Sequence, residues 1–161
     1  MNERIERTKK VLLRYERMQA FLKNAKADIA DYEAMLGENP GAKTPGYGVC
    51  SGGGSGNMSE EERALYINEE TRQKMDSLRL EVARVEFTTK RVDRALGCLE
   101  RADRAVLEGR YVFRYTWDMT GRHAQMSVAW CRKRLPDALA LLADILFGPG
   151  DIPIPVDLFA I

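Results

Sequence analysis

The chain predicts an all-α fold: a long antiparallel coiled-coil helical hairpin followed by a compact C-terminal head of short helices. Three features carry that expectation: two long apolar seams, a glycine- and proline-rich run between them, and a change after residue 99 to short segments opened by hydroxyl residues.

The first seam is Val11, Tyr15, Met18, Leu22, Ala25, Ile29, Tyr32 and Leu36, in alternating steps of four and three. Residues so spaced line one face of a helix, which turns once in about 3.6 residues. Arg14, Arg17, Lys23, Lys26, Asp28, Asp31 and Glu33 lie between them and keep the other face wetted, so a helix is expected over residues 2–36. In residues 37–58 the prolines lack an amide donor and the glycines are costly to order, which predicts a flexible linker. This run has no Gly-Lys-Ser/Thr and follows no strand, so it does not read as a phosphate-binding loop.

The seam returns at Met75, Leu78, Val82, Val85, Thr89, Val92, Leu96 and Leu99. A second helix is therefore expected over residues 59–99. Ser59 and Glu62 have the spacing of a capping box, and Glu60, Glu61 and Glu62 suit the positive end of the helix dipole. Within one chain the two seams would bury each other as a hairpin over residues 1–99. The same faces could instead pair between subunits, so a homo-oligomer through the coiled coil stands beside the monomer.

Residues 100–147 form the expected head. Ala102, Val106 and Leu107 give a helix from Arg101 to Tyr111 its apolar face, and Val112 to Tyr115 break it. Thr116 is placed to cap a short helix opening at Trp117, and Ser127 to cap the next, because a hydroxyl before a helix accepts from an orphaned amide. Gly121 suits close approach of these two helices, with Gln125 and Met126 at the turn. Two short helices joined by a tight turn make a helix-turn-helix, whose second helix enters the major groove. An interior proline costs a helix about 3 kcal/mol, so the second helix is expected to end or kink near Leu135, with Pro136 opening a separate helix to about Phe147. Residues 148–161, rich in proline and apolar side chains, are expected to be extended, folding back on the helices or docking into a partner.

A formal net charge of +1 conceals an uneven distribution. Residues 100–135 hold Arg101, Arg104, Arg110, Arg114, Arg122, Arg132, Lys133 and Arg134 against Glu100, Asp103, Glu108 and Asp118, whereas residues 136–161 have four aspartates and no Lys or Arg. A basic module neutralises phosphates, which supplies salt-dependent affinity for double-stranded DNA. Cys50, Cys98 and Cys131 form no CxxC motif, and His123 is the single histidine, so neither a disulfide framework nor a metal site is expected. No nucleophile, base and orienter converge, so no catalytic site and no cofactor are expected. The N-terminus has no signal-peptide core and no apolar run approaches the length of a membrane span; the expectation is a cytoplasmic protein without membrane contact.

Residues 106–139, with Val106, Leu107, Glu108, Gly109, Arg110 and Tyr111 leading to Trp117, Ser127 and Ala138-Leu139, resemble sigma factor region four as found in phage-encoded RinA and ArpU-type late-gene regulators. The long helices and glycine-rich linker are similar to that group in organisation. Thr120 and Ala124 depart from it, standing where the family has large aliphatics, and Tyr111, Tyr115, Trp117, Met119 and Trp130 are expected to fill the space. The resemblance implies a noncatalytic phage or prophage transcription regulator in a bacterial host cell, with RNA polymerase as a further partner. It also implies that Val128, Ala129, Arg132 and Lys133, just after the Ser127 cap, face DNA. Arg132 would read a guanine edge or clamp a phosphate, and Val128 and Ala129 would touch a thymine methyl. Arg122 joins them, and Arg110 and Arg114 would reach flanking phosphates. Two rivals are a small terminase-type DNA-packaging subunit and a protein-interaction module with a degenerate helix-turn-helix.

Overall fold

The computed structural model describes residues 3–38 and 59–149. Among the described residues there are five α-helices and no strand: α1 (Glu3–Glu38), α2 (Glu60–Gly97), α3 (Arg101–Leu107), α4 (Trp117–Ala124) and α5 (Val128–Phe147). A π-helical turn, Glu108–Val112, prolongs α3, so the break expected at Val112 begins at Phe113. The expected linker lies outside the described residues except for Gly37 and Glu38, which are the last residues of α1. The expected extended tail also lies outside them, except for Gly148 and Pro149.

The described residues divide into two compact units, 3–22 with 84–149, and 23–38 with 59–83. In the second unit Ala25, Met75 and Val82 are buried, while Ile29, Tyr32, Leu36 and Leu78 are half-buried. Asn68, one heptad before Met75, is buried too and prolongs the seam with a polar residue that an apolar pattern does not register. The capping box forms as spaced: the Glu62 amide donates to Ser59 Oγ at 3.1 Å and the Ser59 amide to Glu62 Oε2 at 2.9 Å. Arg79 pairs with Glu33 at 2.6 Å, on a surface where such a contact contributes little to stability.

In the first unit one core gathers Val11, Leu12 and Met18 of α1, Val85, Val92, Leu96 and Leu99 of α2, Leu107 of α3, and Ala138, Leu139, Leu142 and Leu146 of α5. Seam positions Arg4, Thr8 and Thr89 are buried although polar. The threonines satisfy their hydroxyls on the preceding turn, Thr8 on the Arg4 carbonyl and Thr89 on the Val85 carbonyl, both at 2.8 Å. Tyr15 donates to Asp93 and accepts from Gln19 Nε2 at 2.8 Å. Burial and the Asp93 hydrogen bond together push its phenol above the ordinary value of 10.0.

α5 corrects one expectation. It runs on through Pro136 as one helix, so it does not end near Leu135 and Pro136 opens no separate helix. The proline is exposed, and the carbonyl four residues earlier belongs to Arg132, also exposed, so water can serve the group that loses its amide partner. Ala138, Leu139, Leu142 and Leu146 follow on the buried face, and their burial outweighs the local cost. No cation stands in the last turn of α5. Arginines from the long helices take that place: Arg91 donates to the Leu146 carbonyl, and Arg4 to those of Gly148 and Pro149, the latter at 2.7 Å.

Candidate nucleic-acid interface

The head is built by α3, α4 and α5, which pack on one another. α4 starts at the Thr116 cap, whose Oγ1 accepts from the Met119 amide at 3.3 Å, and α5 at the Ser127 cap, whose Oγ accepts from the Trp130 amide at 3.2 Å. Between them Gln125 adopts the left-handed conformation with φ of 57°, and the Met126 amide returns to the Gly121 carbonyl at 3.0 Å. A Cβ at Gly121 would stand 2.9 Å from the Met126 carbonyl oxygen, so only glycine admits this turn without a backbone shift. The two caps, the glycine and the turn are placed as the sequence suggests.

The interior behind this turn is made of Val106, Ala124 and Cys131, edged by Ala105, Trp117, Trp130 and Leu135. Thr120 is fully buried and returns its hydroxyl to the Thr116 carbonyl at 2.8 Å. The aromatic filling differs from expectation. Trp117 and Trp130 do edge this cluster, but Tyr111 packs on the larger core, and Met119 is 47% exposed. Small interior residues let the helices approach closely enough that less filling is needed: at Gly109 an added Cβ would lie 3.1 Å from Thr120 Cγ2. Burial pushes the Cys131 thiol above its ordinary value, whereas Cys98 is exposed, as its place off the seam suggests.

Asp103 is 1% exposed and receives two hydrogen bonds from Arg134, at 2.7 Å and 2.8 Å. This fork holds α3 to the first turns of α5. The partners stand 31 residues apart, and neither an apolar period nor a local charge pattern signals such a pair.

The exposed side of α5's first two turns carries Ala129, Arg132 and Lys133, and Val128 is half-buried against Gly121. An open groove lined by Arg122, Ser127 and Val128, together with Asp118 and Met126, runs beside them. Arg110 and Arg132 meet over one ring, their guanidinium carbons 4.3 Å and 5.3 Å from the Trp117 centroid. A cation over an indole face is attracted by its quadrupole and loses orientational freedom. Arg110 also donates to the Tyr115 carbonyl. Arg114 is exposed and adopts the left-handed conformation with φ of 55°. Of the expected site residues, Arg110 and Arg132 are thus joined at Trp117, and Arg122, Ser127 and Val128 share the groove.

The charges sort into two sets. Arg104 pairs with Glu108 at 2.7 Å and Arg134 with Asp103. Arg114, Arg122, Arg132 and Lys133 make no ion pair with any described residue. In the first set the Arg134 fork to buried Asp103 ties two helices of the head together while the Arg104 pair is a surface one, and the second set faces solvent. No described helix is long and apolar enough to cross a membrane. Compared with protein-family models, with curated proteins and with solved structures, the chain finds no match.

Proposed function

We propose that the chain is a noncatalytic, duplex-DNA-binding transcription regulator of the phage late-gene type, with α4 and α5 as its helix-turn-helix. The observation that carries this reading is the first two turns of α5, where Arg132 and Lys133 lie exposed and free of carboxylates, beside Arg122 and behind a capped, glycine-dependent turn. A helix so placed enters the major groove by its N-terminal residues. Arg132 is the candidate for bidentate contact with guanine, and Lys133, Arg122, Arg110 and Arg114 for phosphates. Val128 and Ala129 offer only apolar contact.

The long helices are read as an antiparallel coiled-coil hairpin that supports this head. The contacts Tyr15 to Asp93 and Glu33 to Arg79 run in opposite senses along α1 and α2, as that course requires. Contact with RNA polymerase belongs to the same proposal and rests on the resemblance to region four, whereas assembly into a homo-oligomer rests on the apolar seams of the two long helices.

Selection of fragments from the source genome by purified protein at about 150 mM salt, where weak phosphate contacts are partly screened, tests the reading. Enrichment upstream of a late operon is expected; enrichment at a packaging site would transfer the reading to a terminase subunit, and no enrichment would overturn DNA binding. Replacing both Arg132 and Lys133 with alanine is expected to weaken binding and to lower the salt slope by about one for each phosphate contact removed. Unchanged slope and affinity would remove α5 from the interface.

A further inference from the structure

The segment between the π-helical turn and α4 is built in a way that the α5 site does not require. Phe113 is 45% exposed and stacks on Tyr115 with centroids 5.3 Å apart and planes 30° apart. His123 of α4 meets both rings edge-on, at 5.7 Å and 5.8 Å. The residue between the stacked pair, Arg114, is held left-handed, a conformation that costs a side chain free energy and persists only where its surroundings enforce it. The enforcing bonds are those that end the π-helical turn: the Phe113 amide donates to the Glu108 carbonyl and the Tyr115 amide to the Gly109 carbonyl, both at 2.8 Å. The result is a two-ring stack whose Phe113 is partly exposed, with Arg114 and Arg122 exposed in the adjoining sequence and without ion pairs among the described residues.

We propose that this ring cluster is a second nucleic-acid contact, which takes one unpaired nucleobase of DNA against Phe113 while Arg114 holds the neighbouring phosphate. A base presents a flat π-face to an aromatic ring whatever its identity, so stacking needs no hydrogen-bond code, and a flanking cation supplies the backbone attraction. His123, which touches Phe113, belongs to α4, the helix that leads through the Gln125 turn to the Ser127 cap of α5, so the ring cluster and the α5 site stand on the same helix-turn-helix unit. The inference rests on the duplex-binding reading above and adds to it a preference for DNA that carries an unpaired stretch beside the duplex.

The test is a titration of the full chain with a fluorescent duplex carrying the selected site, blunt or with a short single-stranded tail. The tailed duplex is expected to bind roughly tenfold tighter, the effect of one stacked base. Phe113→Ala is expected to abolish that preference and leave blunt-duplex affinity in place, while Phe113→Trp, which keeps a stacking face, retains it. Equal affinity of the wild-type protein for the two duplexes would overturn the inference and leave duplex binding standing. A preference that survives Phe113→Ala, or that Phe113→Trp also destroys, would overturn the assignment to the ring stack. Binding of neither duplex would overturn both readings, and Arg132→Ala weakening both duplexes alike, with the tail preference kept, would support a ring contact separate from α5.

Discussion

The second half of α5 buries Ala138, Leu139, Leu142 and Leu146 among aliphatic side chains from α1 and α2, whereas its first half sets Cys131 against Val106 and Ala124 and is tied down by the fork between Asp103 and Arg134. Apolar burial is non-directional and scales with area; a charged fork fixes direction but adds little area. The end of the helix that presents Arg132 is therefore oriented by polar geometry and ring contacts, and the other end anchored by packing. Pro136 stands where one regime gives way to the other.

The largest expected break is in the anchored half. Leu142 is fully buried, and Leu142→Ala is expected to destabilise the protein by about 2–5 kcal/mol through lost burial and the cavity left behind. Chemical denaturation measures it, and a loss below about 1 kcal/mol would mean that this half collapses around the gap. Asp103→Ala removes a charge-assisted hydrogen-bond partner from a guanidinium that is 38% exposed, so about 1–2 kcal/mol is expected, less than for a fully buried pair. Its signature differs. On the proposed DNA-binding reading, a fork that orients α5 makes this substitution lower DNA affinity out of proportion to stability, whereas Leu142→Ala lowers stability first; equal effects on binding from the two variants would erase the contrast.

How legible each half is in the sequence follows from the same physics. Burial by large aliphatics leaves a period, and every position of both seams, from Val11 to Leu36 and from Met75 to Leu99, is withdrawn from solvent. Caps are legible because they are local: Ser59, Thr116 and Ser127 each bond an amide three residues on. The Asp103–Arg134 fork, the Arg4 and Arg91 contacts to the end of α5, and the meeting of Phe113 with His123 are not local and have no period. Arg4 and Thr8 also stand on the buried face with side chains that hydropathy assigns to solvent. Pro136 differs in kind, since its local cost is real but packing that comes later in the chain keeps the helix continuous.

The smallest expected effect is also the one that samples both regimes at once. Tyr15 sits on the seam and Cys131 in the small-residue interior, and burial raises both above their ordinary values of 10.0 and 9.0. In the unfolded chain each ionises near its ordinary value, while the folded chain keeps its proton to higher pH. Between those limits the unfolded state binds fewer protons, so stability falls as pH rises. The contribution is whole below about pH 9, and Cys131 begins to withdraw its share there, followed by Tyr15 and the similarly buried Tyr111 above about pH 10. Denaturation midpoints across this range are expected to decline in that order, with Cys131→Ala flattening the earlier part and Tyr15→Phe the later. A midpoint that holds level from about pH 8 to pH 11 would show that neither group loses hydration on folding, and with it that the two interiors are more open to water than their burial implies.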